Sequence, residues 1–471
     1  MTQRPVAAGL ASQVPQQSLI KAPVPWLAAD PPIRLSQPGR AAFFGLEEIH
    51  PTRLGNTMVL GVTGSGKSAS AVMPILGGLL RYRLADGRQP AVLVIDPKRE
   101  LEAKVRATLT ELGELERLVV VGECDPIAFF SGQCPLSVTE RIAKLIPLPG
   151  QVFQDNSYWT NLGIAMLRDM FQLEHEYLAD TGQRLFEDIA DRLTLRRIPQ
   201  ASSWTTLRMV LTHSRLGPRA LKEISTALNH LCESAGIVSP STNVMSVYTG
   251  DSDLLQQWNY VCMSAVDTLA TALGNPDISR FADLDVLPDL TQPRTDIQAL
   301  MDAGKVVLFC PEKRDAHRIA ALALKAKWYE AVFARADLER PVGIVIDEAQ
   351  LFLTNDPENG EQSFLDRCRA YRAITVLATQ SLASLNYAFG SNASAQTALE
   401  IIVANTPSKI IFRSTDSDTV HALRSLIPPS DRGGPHIIDV RRPSVMKPGE
   451  AYFMFTDGSW GRRRVDLAAL I

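Results

Sequence analysis

The stretch Met58-Val-Leu-Gly-Val-Thr-Gly-Ser-Gly-Lys-Ser68 decides the fold of this chain. Three apolar residues come first, the GxxxxGK[ST] pattern runs from Gly61 to Ser68, and small residues with helical character follow. A strand, a glycine-rich loop and a helix in this order form the context in which the pattern holds phosphate groups. The alternative is a flexible loop that binds no ligand.

The residue types in this loop suit the triphosphate of ATP and its Mg²⁺. Side chains must be absent where backbone N–H groups wrap a phosphate chain closely. A lysine can reach the β- and γ-phosphates, and a hydroxyl can ligate Mg²⁺. Lys67 is therefore predicted to be catalytic as well as nucleotide-binding, and Ser68 to ligate the metal. The residues predicted to contact nucleotide are Gly61, Thr63, Gly64, Ser65, Gly66, Lys67, Ser68 and Ser70.

Composition and charge limit the other possibilities. The 471 residues suffice for two or three domains, and the net charge of −3 provides no overall basic field to attract nucleic acid. Six cysteines without a CxxC pair favour reduced thiols in a cytoplasmic protein over a zinc site. No uncharged apolar run approaches the roughly 18 residues that span a bilayer, and no secretory signal is recognisable.

Changes in composition and hydrophobic periodicity along the sequence predict an N-terminal arm and two domains. Residues 1–40 are rich in proline and are predicted to form an extended arm, either a solvated tail or a segment that docks on a neighbouring subunit or partner. Residues 41–150 and 291–471 alternate strand-like and helical patterns, which predicts one α/β domain. Residues 151–290 show helical periodicity alone, which predicts an inserted all-α domain. Trp159 is predicted to be a core anchor in it, and Pro74 to kink or end the helix after the phosphate loop.

Charged residues follow two of the apolar runs. Ala91–Ile95 precedes Asp96 and Lys98, which are also predicted to contact nucleotide because ligands bind at the ends of parallel strands. The alternative is a charged surface turn. Val342–Ile346 precedes Asp347 and Glu348. We predict that Asp347 holds Mg²⁺ and that Glu348 polarises the attacking water as general base.

The last third of the chain adds two candidate groups. Gln380 ends the apolar run that starts at Ala373 and can both donate and accept hydrogen bonds near a γ-phosphate, although it could simply be a turn residue. An arginine from the cluster Arg367, Arg369 and Arg372 could neutralise transition-state charge across a subunit boundary, or the cluster could be a solvated face. Further strands are predicted at 409–413, 450–455 and 464–470, with a basic turn at Gly461–Arg464.

The order of these motifs resembles the type IV secretion coupling proteins, the TraG/TraD-like conjugative ATPases. The matching segments are the phosphate loop with Pro74, the Asp96–Glu100 turn, the Tyr158-Trp159 helix, Asp347-Glu348, Gln380-Ser381 with Leu385, and Asp416 with Thr419. The resemblance implies a RecA-like fold, an all-α domain and a homohexameric ring. It also implies that Arg369, eleven residues before Gln380, is the arginine supplied in trans.

The resemblance implies partners and a function as well. We expect an ATPase that pumps single- or double-stranded DNA, or a relaxase–DNA complex, toward a type IV secretion or conjugation channel. Relatives begin with transmembrane helices, whereas none is visible here, so contact with the inner membrane would come through the channel or a membrane-anchored adaptor protein. Arg99 stands where relatives have glycine. The alternatives are a nucleotide-gated assembly scaffold, a HerA/FtsK-type translocase unconnected to secretion, and a motor for protein cargo alone.

Overall fold

A large mixed sheet lies at the centre of the molecule. The computed structural model describes residues 33–34, 48–49, 55–129, 157–195, 202–214, 216–237, 269, 273–285, 293–354, 356, 360–390, 393–426, 443–456 and 460–464. The strands of this sheet within these ranges are β1 Thr57–Leu60, β2 Ala91–Ile95, β3 Leu118–Val120, β4 Val306–Phe309, β5 Val342–Ile346, β6 Ala373–Thr379, β7 Ser408–Ile411, β8 Glu450–Met454 and β9 Trp460–Arg464. Their order is β9-β8-β7-β1-β6-β5-β2-β4-β3. β8 pairs antiparallel with both of its neighbours, β7 and β9, and all the other pairs are parallel.

The central strands form because their apolar runs can be buried on both faces. All five residues of β2 and all five of β5 are buried. Continuous apolar runs of this kind are typical of parallel strands that are covered by helices on each side. The structure confirms the α/β fold with a mostly parallel sheet that the sequence predicts.

Helices cover both faces of this sheet. The helices in the described residues are α1 Met73–Arg81, α2 Glu102–Leu112, α3 Ser157–Thr181, α4 Leu185–Arg192, α5 Ser203–Ser214, α6 Pro218–Ser234, α7 Pro276–Ser279, α8 Ile297–Asp302, α9 Asp315–Ala334, α10 Glu361–Arg367, α11 Leu382–Phe389, α12 Ala393–Ala404 and α13 Ser417–Leu426. α1 and α2 pack on one face, where Leu76, Leu79, Val105 and Leu109 join one apolar cluster. α9 to α12 contribute to the cluster on the other face, which extends into α3 to α6.

Two short strand pairs lie outside the main sheet. Ile33–Arg34 pairs antiparallel with Glu48–Ile49, and Ile127–Ala128 pairs parallel with Ala282–Asp283. The rest of the predicted proline-rich arm lies outside the described residues. No helix in the described part of the chain is both long and apolar enough to cross a bilayer.

The helix after the phosphate loop changes its register near Pro74. A π-helical turn spans Ser68–Val72, and α1 begins at Met73 with Pro74 in its first turn. The first turn of an α-helix tolerates proline because its N–H would have no partner within the helix. The predicted interruption therefore takes the form of a π-to-α transition, which leaves α1 intact beyond it.

Helices are the only regular secondary structure in the described residues between 157 and 237. Trp204 in α5 is fully buried, its ring centroid is 4.5 Å from that of Phe171, and its indole N–H donates to the Leu284 carbonyl at 3.0 Å. This contact ties α3 and α5 to the segment that leads back to the sheet. The bounds of the all-α domain stay a prediction, and the side chain of Trp159 lies outside the described residues.

One local interpretation of the sequence is wrong. Gly461–Arg464, predicted to be a basic turn, belongs to β9, where Arg463 pairs with Ala451 and Arg462 with Tyr452 of β8. The three consecutive arginines suggested an exposed turn, but backbone pairing to β8 decides the conformation. β9 ends at Arg464, where the sequence predicts a strand to begin, and residues 465–470 lie outside the described part.

A buried ion pair holds the segment after β5 in place. Lys325 of α9 pairs with Glu361 at the start of α10, and both side chains are at most 1% exposed. Lys325 also donates to the Phe352 carbonyl, and Glu361 accepts the Thr354 N–H at 2.6 Å. The pair thus fixes α10 against the chain that follows Asp347 and Glu348.

Replacing Lys325 with methionine is expected to lower the free energy of unfolding by about 3–5 kcal/mol, because an unpaired carboxylate would be left buried. Chemical denaturation monitored by circular dichroism measures this loss. Lys327→Met on the same helix is the matched control, since its pair with Glu330 is partly exposed, and we expect a change within about 0.5 kcal/mol. Equal effects of both substitutions would contradict the structural role of the buried pair.

Candidate functional site

The register of the parallel strands brings the phosphate loop next to Gln380. Leu60 at the end of β1 pairs with Thr379 at the end of β6, so Gly61 and Gln380 leave the sheet side by side. The Gly61 N–H donates to the Gln380 carbonyl at 3.2 Å. β6 lies between β1 and β5. Gln380 therefore occupies the position between the phosphate loop and the Asp347-Glu348 pair.

The same register places the acidic residues at this edge. Ile346 at the end of β5 pairs with Ile95 at the end of β2, and the Asp347 N–H donates to the Ile95 carbonyl at 3.0 Å. Asp347 and Asp96 thus follow adjacent strands. These two residues, 251 positions apart in sequence, meet at one edge of the sheet, as expected for the carboxyl ends of parallel strands.

Two glycines of the loop are required by its packing within the protein. A Cβ on Gly61 would lie 2.7 Å from the Cβ of Phe412, and one on Gly66 would lie 2.8 Å from the Gly449 nitrogen. Both glycines also have positive φ angles. The Gly449 N–H donates to the Ser65 carbonyl at 2.9 Å. Sequence reasoning missed Gly449, because nothing in its local pattern relates it to a loop nearly 400 residues earlier.

Lys67 is buried inside the loop. Its ammonium donates to the Gly61 carbonyl at 2.5 Å and to the Val62 carbonyl at 3.4 Å. Burial lowers the pKa of Lys67, although the nearby charges of Glu348 and Asp347 oppose this shift. An anion bound in the loop would compensate the burial of this ammonium.

The other loop residues differ in exposure. Thr63 and Gly64 are exposed, and Ser68 is half-buried. Ser65 and Ser70 are buried, and within the described residues neither hydroxyl has a hydrogen-bond partner. Buried polar atoms without partners are rare and point to a ligand or an ordered water. A role of these residues in nucleotide binding stays a prediction.

Asp347 is fully buried, and only one of its two carboxylate oxygens has a hydrogen-bond partner in the described residues. One carboxylate oxygen accepts the Glu348 N–H at 2.9 Å, whereas Oδ2 is buried without a hydrogen-bond partner in the described part of the chain. Burial raises the pKa of Asp347 to about 6. A divalent cation would favour the charged form and satisfy Oδ2. The buried carboxylate of Asp347 therefore fits Mg²⁺, which is usually held by one or two carboxylates together with substrate phosphates, and the Ser68 hydroxyl stays a predicted second ligand.

Glu348 is constrained by its backbone conformation and by contacts with three side chains. Its backbone is left-handed, with φ 49° and ψ 47°, a conformation that non-glycine residues adopt rarely. Its carboxylate accepts hydrogen bonds from Gln380 Nε2 at 3.1 Å and from Gln350 Nε2, and it forms an ion pair with Lys98. Strained backbone of this kind concentrates at functional sites. Sequence reasoning missed Gln350, although its place two residues after Glu348 was a usable signal.

Asp96 has a structural role in its own turn. Its buried carboxylate accepts backbone N–H groups from Lys98 at 3.3 Å, Leu101 at 2.6 Å and Glu102 at 3.3 Å. These bonds cap the turn that leads into α2. Arg99 within this turn has a φ angle of 59°, which explains why glycine suits the position. A contact between Asp96 and nucleotide stays a prediction.

Arg369 lies far from this edge. It is exposed in the 3₁₀ turn Cys368–Tyr371, which precedes β6, whereas Gln380 follows β6. The seven residues of β6 span about 23 Å. Arg369 therefore lies at the opposite edge of the sheet from the phosphate loop, and it could reach such a site only on a second copy of the chain.

Comparisons with known proteins place the site in a wider context. A family model for DEAD/DEAH box helicases matches residues 46–139, which contain the phosphate loop and Asp96 but end before Asp347. ATP-dependent RNA helicases DBP4 are similar in sequence: that of Yarrowia lipolytica is 25% identical over 219 residues and that of Schizosaccharomyces pombe 27% over 200 residues. These matches cover 45% and 39% of this chain, and the chain spans about a quarter of the length of the relatives, 26% in both cases.

Solved structures match nearly the whole chain. The unbound form of the bacterial conjugative coupling protein TrwB, lacking its first 70 residues, superposes with a TM-score of 0.58 at 12% identity, over 92% of this chain and 90% of that one. The chain has the fold of a conjugative coupling protein. TrwB with ADP and Mg²⁺ matches with the same TM-score at 13% identity, over 92% and 89% of the two chains. The RecA-like fold implied by the sequence resemblance is thereby confirmed.

Proposed function

We propose that this chain is an ATP-hydrolysing translocase that works as a homohexameric ring. The observation that carries the proposal is the position of Glu348, whose carboxylate lies beside the phosphate loop and contacts Lys98, Gln350 and Gln380. A site that only binds nucleotide needs no carboxylate there. ATP hydrolysis does, since a base must take a proton from the attacking water.

Each residue has a defined part in this proposal. The water oxygen attacks the γ-phosphorus, Glu348 accepts the proton of that water, and the bond to the bridging oxygen breaks with its electron pair passing to ADP. Lys67 neutralises charge on the phosphates, and Gln380 orients the water. Ser68 and Asp347 would hold Mg²⁺, which neutralises charge on the β- and γ-oxygens when it is bound.

The ring is proposed because Arg369 and the phosphate loop occupy opposite edges of the sheet. One subunit can then present Arg369 to the nucleotide of its neighbour, where a guanidinium stabilises the transition state. The match of the fold to conjugative coupling proteins supports DNA, or a relaxase–DNA complex, as the substrate moved toward a secretion channel. Contact with the cytoplasmic side of the inner membrane would then come through the channel or a membrane-anchored adaptor.

The DEAD/DEAH box match and the similarity to RNA helicases favour a second candidate, an ATPase that acts on RNA. The two functions differ in which nucleic acid accelerates ATP hydrolysis. A nucleotide-gated scaffold would hydrolyse ATP slowly whether or not nucleic acid is present. A motor for protein cargo would respond to the protein and not to DNA.

The deciding experiment measures steady-state ATPase rates of the full chain with no nucleic acid, single-stranded DNA, duplex DNA or RNA, with Glu348→Gln as the inactive control. We expect strong stimulation by DNA and little by RNA. Contacts to six to ten phosphates would also weaken DNA binding by on the order of 10³-fold between 50 and 200 mM salt. Stimulation by RNA alone would support the second candidate, and a rate indifferent to all three would refute the translocase.

A further inference from the structure

The carboxylate of Glu348 is held on both of its oxygens. Oε1 is paired with the Lys98 ammonium, and Oε2 accepts the side-chain amides of Gln380, at 3.1 Å, and Gln350. Gln350 is itself oriented, because its Oε1 accepts the Thr379 hydroxyl at 2.8 Å. A carboxylate has about four lone-pair sites, so few are left to take a proton from water.

Lys98 is the partner in this group that can move. Its side chain is 31% exposed, whereas that of Glu348 is 6% exposed. It lies in the turn after β2, whose backbone is fixed by Asp96, and its long aliphatic chain leaves the ammonium free to swing. While the pair persists, Lys98 occupies Oε1 of Glu348 and the two amides occupy Oε2, so the carboxylate is blocked from taking a proton from water.

Lys98 is also close to the phosphate loop. It pairs with Glu348, which accepts the Gln380 amide at 3.1 Å, and the Gln380 carbonyl accepts the Gly61 N–H of the loop at 3.2 Å. A polyphosphate bound by Lys67 would attract Lys98 as well. In the nucleotide-free chain Lys98 is paired with Glu348, the proposed base for the water that attacks the γ-phosphate. The γ-phosphate of bound ATP would therefore lie near Lys98 and could compete with Glu348 for its ammonium.

We propose that Lys98 is a latch, which holds Glu348 in the nucleotide-free chain and transfers to the γ-phosphate when ATP binds. This inference rests on the proposed function and adds a sensor to the same site. Lys98 is a positioning residue for Glu348 before ATP binds, and a ligand of the substrate afterwards. ADP lacks the γ-phosphate and would leave the latch closed. The chain would thus distinguish ATP from ADP through this one side chain.

A double-mutant cycle tests the latch. Affinities of the full chain for a nonhydrolysable ATP analogue and for ADP, both with Mg²⁺, are measured by titration calorimetry for the unsubstituted chain, Lys98→Met, Glu348→Gln and the double variant. If ATP must pull Lys98 from Glu348, Glu348→Gln removes that competition and tightens binding of the analogue about tenfold. In the Lys98→Met background the same substitution should give no gain.

Lys98→Met alone should weaken binding of the analogue about tenfold and change that of ADP by no more than about twofold. Lys98→Arg keeps a cation in place and should retain most of the preference for ATP. Thermal unfolding checks that each variant is folded.

Two outcomes would overturn the latch. In the first, Glu348→Gln raises the affinity for the analogue equally with and without Lys98. In the second, Lys98→Met lowers the affinities for ADP and for the analogue equally. Neither result contradicts the proposed function if Lys67→Ala still weakens binding of both ATP and ADP. A chain that binds neither nucleotide would refute the proposed function itself.

Discussion

Replacing Glu348 with glutamine is expected to lower the ATP turnover number by about 1000-fold without weakening ATP binding. The amide has nearly the shape of the carboxylate but cannot accept a proton from water, and general-base catalysis contributes about 10²–10⁴-fold to rates. The left-handed backbone at residue 348 and the bond from Gln380 should both tolerate the amide. Phosphate release at saturating ATP measures the effect.

The matched control for this prediction is Glu339→Gln. Glu339 is 66% exposed, it pairs with Arg372, and it precedes β5 at the other edge of the sheet. Its substitution should leave the turnover number unchanged. If Glu348→Gln retained more than about a tenth of the original rate, the assignment of Glu348 as general base would be wrong, since that contribution is at least about 10²-fold.

The second large effect is expected from Lys67→Ala. A hydrogen bond to a charged group contributes about 1.5–3 kcal/mol, so the loss of the ammonium should weaken binding of ATP and of ADP by about 100-fold. Two loop carbonyls, those of Gly61 and Val62, would lose their donor in the same variant. Binding of a fluorescent nucleotide, followed by displacement with ATP or ADP, measures both affinities.

Lys305→Ala provides the comparison for Lys67. Lys305 donates to the Glu116 carbonyl and directly precedes β4, at the edge of the sheet opposite the phosphate loop. Its removal should change neither nucleotide affinity. Normal nucleotide binding by Lys67→Ala, with the fold intact, would mean that the glycine-rich loop is not the phosphate site.

Much of the candidate site could be predicted because each of its segments is recognisable from its own short stretch of sequence. The runs before Asp96, Asp347 and Gln380 are continuous and apolar, which identifies buried parallel strands, and parallel strands that share an orientation end at a common edge. This reasoning needs no knowledge of which strand neighbours which. It therefore placed the phosphate loop and these three residues on one edge from the sequence alone.

What the sequence left open depends on contacts between distant segments. The insertion of β6 between β1 and β5, which puts Gln380 next to Glu348, is decided by packing across the whole sheet. The Lys98–Glu348 pair joins residues 250 positions apart, and neither side chain is unusual in its own segment. The three arginines of β9 show the converse, since their charge suggested a turn and pairing to β8 made them a strand.

The most direct measurement is a structure of the chain with Mg²⁺ and a nonhydrolysable ATP analogue. The account predicts that the triphosphate lies in the loop 61–68, with Lys67 on its β- and γ-phosphates, the metal between Ser68 and Asp347, and Lys98 moved from Glu348 to the terminal phosphate. A nucleotide bound elsewhere, or one in the loop with its γ-phosphate pointing away from Glu348 and Gln380, would contradict it.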